Sequence, residues 1–199
     1  MLRQFKIMDR LFADERETII DRTNSFVISY PHFITYFNSK KIILVQDFII
    51  GAYFAYGWMP TILKIHTDNP HRDLENGVAI LNRVKNGEII TDDDLNFLIS
   101  VVNNSLVGTT KLLHFINPQV YSIWDSRVYS YFYPKKANNY YRVNKIENYR
   151  EFLRKCDEIR ENTRFGKFHQ SVNKKMGYDV SAIRAIEVIM FLNGERYNV

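Results

Sequence analysis

The residues best suited to chemistry fall in one stretch, Leu106 to Val128, which reads LVGTTKLLHFINPQVYSIWDSRV. Its pattern predicts a helix ending at Asn103-Asn104-Ser105, a hairpin containing Gly108, and a new helix opening at Thr109. Glycine reaches positive φ without penalty and lets a second backbone come close, as a tight hairpin requires. The amides that open a helix lack intrahelical acceptors, and the helix dipole adds partial positive charge there. Such a turn can hold a phosphate with no charged side chain. Lys111 is expected in that first helical turn, where positive potential lowers an amine's pKa toward what a nucleophile needs. Asp125 opens the following helix, ahead of Ser126 and Arg127. The helix from Lys111 to Asn117 rises about 9 Å. The chain from Asn117 to Asp125 can span about 26 Å, so a return of Asp125 toward Lys111 is open. An amine and a carboxylate facing one cleft would pair a nucleophile with a group that stabilises developing sugar cation character.

The same residues carry plainer readings. Lys111 also fits a solvated lysine at a helix start. Asp125 also fits an N-cap that bonds the amides of Arg127 or Val128. Arg127 suits a phosphate or a surface carboxylate equally, and His114 reads as a partly buried structural histidine. From Arg127 to Lys145, the cations Arg127, Lys135, Lys136, Arg142 and Lys145 alternate with tyrosines. Cations bind phosphates and rings stack on extruded bases, although half of those tyrosines fit a helix core as well. A second basic set, Arg164, Lys167, His169, Lys174 and Lys175, reads as a solvated face.

At Gly108-Thr109-Thr110-Lys111 and Ile123-Trp124-Asp125-Ser126-Arg127-Val128 the chain resembles the helix-hairpin-helix DNA glycosylase superfamily, in particular its 8-oxoguanine glycosylase branch. In that family a Gly-containing hairpin leads to a lysine, and a downstream segment carries an aspartate. The resemblance covers residues 106–128, with one glycine where the family hairpin has two and a shorter Lys–Asp interval. It implies an all-α fold in which Lys111 attacks the sugar C1′ carbon and forms a Schiff base. Asp125 would assist base departure, giving glycosylase activity with a possible lyase step at the abasic site. Gly108, Thr109 and Thr110 would then meet DNA at the hairpin, with Arg127, Lys135, Lys136 and Arg142 beyond it.

The elements that must position these groups are helical throughout. The sequence predicts a first helix near Asp14 to Thr23 and a short one opened by Pro31 and running through Phe37. A long buried helix follows over KIILVQDFIIGAYFAYGW. Then come ENGVAILNRVKNG with a Gly stop, and TDDDLNFLISVVNN with Thr91 as N-cap and three aspartates in the first turn. NPQVYSIW reads as an extended return, and Tyr133 to Lys145 as a loop. Two further helices, Ile146 to Thr163 and Ser181 to Asn193, close the chain. No alternating strand pattern or internal repeat is present. The expectation is one compact all-α domain over 1–199, helix-hairpin-helix glycosylase-like. Its hairpin segment would lie at 95–116, and any split into two lobes near 66–74.

Composition bounds the function classes. The chain has 199 residues, enough for a substantial core, and its 46% hydrophobic share excludes a disordered protein. A single cysteine, Cys156, excludes an internal disulfide framework and reads as a structural thiol. The N-terminal MLRQFKIMDR lacks a signal-peptide pattern, and Ile42 to Leu63 is too broken by Gln46, Asp47, Gly51, Gly57 and Pro60 for a membrane span. These point to a cytoplasmic protein without membrane contact. Residues 1–100 carry 11 Lys/Arg against 13 Asp/Glu, whereas residues 101–199 carry 16 against 9. The basic half holds the motif, as expected for a protein that faces a polyanion, with DNA as the partner and a monomer as the state. No Gly-rich nucleotide motif is present, so no nucleotide cofactor is expected. No Cys/His spacing suits zinc. His66 and His71, with Asp68 and Asp73, do not align on a helical turn, and Asp92-Asp93-Asp94 is better explained by capping than by metal. Two other readings stay open: a DNA-binding scaffold without catalysis, and a helical module meeting an acidic protein.

Overall fold

Helix starts in this chain are set by short polar side chains that take up otherwise unpaired amides. Asn24, Asp73, Thr91, Ser105, Asp125, Asn139 and Ser181 each accept an amide hydrogen bond from the first turn of the helix that follows. The computed structural model describes residues 2–67 and 72–197, and among these the protein is all-helical, with eleven α-helices and no strand. His71 and Asp68 of the histidine pair lie outside the described residues. Among the described residues, no helix is long and apolar enough to cross a membrane. The chain sorts into two compact units, Asn24–Ser122 and a terminal unit made of Met1–Thr23 with Ile123–Val199. The division expected near 66–74 therefore falls inside the first of these.

The Asn24–Ser122 unit comprises α2 (Ser25–Asn38), α3 (Val45–Tyr56), α4 (Leu74–Lys85), α5 (Asp92–Val101) and α6 (Leu106–Ile116). Helix α6 is its innermost element: every residue except Val107 is buried, and it packs against the other four helices. Burying a helix on all sides requires close approach, which glycine provides where α3 meets it. A Cβ on Gly51 would overlap Phe37 Cζ and lie 2.7 Å from Leu112 Cδ1. Rings of Phe33, Phe54, Trp58 and Phe115 close one side of this core.

The terminal unit holds α1 (Leu2–Glu17), α7 (Ser126–Phe132), α8 (Tyr140–Val143), α9 (Ile146–Arg160), α10 (Phe165–Met176) and α11 (Ala182–Asn193), closed by a 3-10 turn at Gly194–Tyr197. Helix α11 is the centre, packed against α1, α7, α9 and α10. Its Arg184 and Glu187, 2% and 1% exposed, form an ion pair one turn apart. Trp124 is fully buried among Tyr129, Phe132, Tyr149 and Phe152, and its indole N–H donates to the Val143 carbonyl at 2.8 Å.

Several helices differ from the sequence expectation. The first runs over Leu2–Glu17 rather than from near Asp14 to Thr23, so Asp14, Glu15 and Glu17 fall in its last turn instead of opening it. Ile7, Leu11 and Phe12 form a buried stripe, and Glu15 is fixed by Lys175 at 2.7 Å and Ser171 at 2.6 Å. Pro31 lies inside α2, because Asn24 caps the helix seven residues earlier. Helix α3 begins only at Val45, where Asp47 accepts the Leu44 amide at 3.0 Å. Helix α10 was not anticipated. Its buried residues Phe165, Phe168, Val172 and Met176 make a narrow stripe on an otherwise charged helix, stopped by Gly177 at φ 86°.

Candidate functional site

The turn that joins α5 to α6 is built by asparagine. Asn103 and Asn104 adopt φ of 58° and 51°, a left-handed conformation that Asn tolerates better than most residues. The Asn103 amide donates to Lys64 O at 3.1 Å and the His66 amide to Val101 O at 2.9 Å, which pins the turn. Ser105 then caps α6, its hydroxyl accepting the Gly108 amide at 3.1 Å. A helix, a tight turn and a second helix are thus present within 92–116.

Gly108 is not part of that turn. It sits in the first turn of α6, where a Cβ would lie 2.7 Å from Tyr56 Cε2 and 2.8 Å from its hydroxyl. The glycine is required for side-chain room, not for positive φ, and its amide already serves the cap. Thr109 and Thr110 are likewise turned inward: both are fully buried. Their hydroxyls donate to Ser105 O at 2.8 Å and Val107 O at 3.1 Å. The resemblance implied that this trio meets DNA at a hairpin; the structure places all three within α6, with the Gly108 amide bonded to Ser105 and both threonine hydroxyls bonded to the helix backbone.

Lys111 is the sixth residue of α6, one turn further from the helix start than the sequence suggested. It is only 6% exposed, which overturns the reading of an ordinary solvated lysine. Leu112, Leu113 and His114 beside it are fully buried. His114 is held at both ring nitrogens. Nδ1 donates to Tyr121 O at 2.7 Å, leaving Nε2, 2.9 Å from Tyr30 Oη, to accept the hydroxyl hydrogen. Tyr121 in turn donates to Glu88 O at 2.7 Å and accepts the Ile90 amide at 3.0 Å. His114 is therefore a structural bolt that ties the extended return after Asn117 back onto the helix carrying Lys111.

Asp125, in the terminal unit, is the N-cap of α7. Its Oδ1 accepts the amides of Arg127 and Val128, each at 3.0 Å. Both bonds use the same oxygen, so capping leaves Oδ2 outside the cap. The deep anchoring of Trp124 and the approach of Gly194 to the Arg127 backbone fix this helix start. The Arg127 side chain is exposed, pairs with Glu195, and lies 4.9 Å over the Phe191 ring.

Lys135, Lys136 and Arg142 are exposed on the segment between α7 and α9. Lys135 adopts φ 72°, Lys136 Nζ lies 4.3 Å over the Tyr133 ring, and Arg142 donates to Ala137 O at 3.3 Å. Burial and the adjacent Glu151 push the Tyr133 hydroxyl well above its ordinary pKa. The site residues thus divide by unit: Gly108 to Lys111 on α6, and Asp125 with the basic residues in the terminal unit.

Of the second basic set, Arg164 pairs with Asp9 at 2.7 Å and Lys175 with Glu15, which ties α10 to α1. Asp94 completes a capping box with Thr91 and bonds Arg83 at 3.0 Å, in agreement with capping. Sequence reasoning passed over Tyr30, Tyr56 and Tyr121, the residues that position α6, because nothing in their spacing marks them. Compared with family models, with curated proteins and with solved structures, the chain gives no match.

Proposed function

We propose that this protein is a helix-hairpin-helix glycosylase-like enzyme that removes a damaged or modified base from DNA, with Lys111 as its amine nucleophile. The observation that carries the reading is the burial of Lys111 on the second helix of a tight helix–turn–helix. Lysine is among the side chains least often withdrawn from water. An amine kept from water is the form in which lysine acts as a nucleophile.

In this reading the neutral Lys111 amine attacks C1′ of the target nucleotide. The glycosidic bond breaks, and its electron pair leaves with the base, which takes up a proton. The amine nitrogen loses a proton, the C1′–O4′ bond opens with protonation of O4′, and a Schiff base forms. This step needs only the Lys111 amine; Asp125, in the terminal unit, caps α7. Its two capping bonds favour a second reading, in which the scaffold binds DNA and Asp125 is structural alone.

Borohydride reduces a Schiff base to a stable amine, so trapping tests the proposal. Duplexes bearing 8-oxoguanine, uracil or an abasic site are the probes, with Lys111→Ala alongside. An adduct that disappears in Lys111→Ala supports the enzyme. Salt-dependent duplex binding with neither adduct nor base release supports the binding scaffold.

A further inference from the structure

The segment from Ser126 to Ile146 contains five cations, Arg127, Lys135, Lys136, Arg142 and Lys145, and no carboxylate. Two large rings stand in water on the same segment: Tyr140 is 63% exposed and Tyr141 84%. They lie side by side on α8, with centroids 5.9 Å apart and planes at 82°. Exposed aromatic area surrounded by like-signed charge contributes nothing to a core, and the folded chain holds it in place. Asn139 caps α8 through the Arg142 amide at 3.0 Å. Asn138 donates to Ser130 at 3.0 Å, Asn148 to Arg142 O at 2.9 Å, and Trp124 fixes the far end at Val143. A presented ring pair, a fixed backbone and the exposed cations Lys135, Lys136 and Arg142 together form a platform whose complement has flat apolar faces joined by anionic links.

We propose that residues 134–145 bind unpaired nucleotides of a DNA strand, with Tyr140 and Tyr141 stacking on bases and Lys135, Lys136 and Arg142 taking phosphates. Stacking suits this surface because every base offers a π-face, so no sequence readout is needed. The inference rests on the reading that the protein works on DNA, but not on the chemistry of Lys111. A duplex keeps its bases stacked on one another and offers this pair of rings only its phosphates.

The test is fluorescence anisotropy of the full chain with labelled oligothymidylate of about 12 nucleotides, within the span such surfaces cover. A strand of equal length with abasic tetrahydrofuran units keeps the phosphates and removes the bases. Wild type should bind oligothymidylate more tightly than the abasic strand. Tyr140→Ala with Tyr141→Ala should weaken oligothymidylate binding at least about 10-fold and leave the abasic strand unaffected. The double Phe variant keeps both rings and should bind as wild type. Both positions are exposed, so the far-UV circular dichroism of all variants should coincide. Unchanged oligothymidylate affinity in the double Ala variant would overturn the proposal. So would equal loss in the double Phe variant, or equal binding of both strands by wild type. Borohydride trapping lost in Lys111→Ala but kept in the double Ala variant separates failure of the platform from failure of the glycosylase reading.

Discussion

Gly108→Ala separates a glycine needed for its backbone from one needed for its missing side chain. Gly108 sits in α6 without positive φ, so alanine fits its backbone and raises helix propensity by up to about 1 kcal/mol. The added Cβ meets Tyr56 Cε2 at 2.7 Å and Tyr56 Oη at 2.8 Å. Tyr56 is 5% exposed and has little room to retreat. Overpacking of this kind costs about 1–3 kcal/mol. The net effect is a loss of up to about 2 kcal/mol after the propensity gain is set against it. Tyr56→Leu removes each clashing atom while keeping apolar bulk. In that background Gly108→Ala should become neutral or stabilising. Urea denaturation of the four proteins in the cycle, followed by circular dichroism, gives the coupling, expected at about 1–3 kcal/mol. Additivity within about 0.5 kcal/mol, with alanine equally costly in both backgrounds, would refute the assignment of Gly108 to side-chain room.

Two further outcomes follow from buried groups. Burial alone would raise the Asp47 carboxyl, but hydrogen bonds from Lys40 at 2.8 Å and Tyr36 at 2.6 Å outweigh it and hold the pKa low. A carboxyl lowered by folding contributes stability above its unfolded value, about 3.9, and loses it as pH falls through the folded value. The stability gap between wild type and Asp47→Asn should therefore be full at pH 7 and shrink below about pH 4; a constant gap from neutral pH to pH 3 would contradict the network. Burial, aided by the Asp157 carboxylate, pushes the Cys156 thiol well above its usual pKa. Ellman's reagent should thus react slowly in native buffer and at once in urea, whereas rapid stoichiometric labelling of the native protein would refute that burial.

The sequence was most legible where one residue type has one local job. Thr91 ahead of its three aspartates and Asp125 ahead of Arg127 are caps that read directly, because the hydrogen bond closes within three residues. The all-helical class followed from the same local signals. Less legible was anything decided by distant partners. Gly108 looked like a turn residue because its reason for being glycine, Tyr56, lies on another helix. The turn itself was made by Asn103 and Asn104, whose tolerance of positive φ is a weaker signal than glycine's. Helix α1 was misplaced because its stripe makes sense only with α10 and α11, more than 150 residues downstream. The division into units was hidden for the same reason, since one of them joins the two ends of the chain. At the site, the Lys111 position was read from motif spacing. Its burial follows from α6 being innermost in its unit, which no local pattern encodes.

The central claim is that the Lys111 amine forms a covalent bond to a DNA sugar. Its most direct measurement is mass spectrometry of the peptide cross-linked to an abasic-site duplex after borohydride reduction. The proposal predicts the sugar remnant on the peptide containing Lys111, and no cross-link in Lys111→Ala. A remnant on any other amine, or an equal yield from Lys111→Ala, would contradict it.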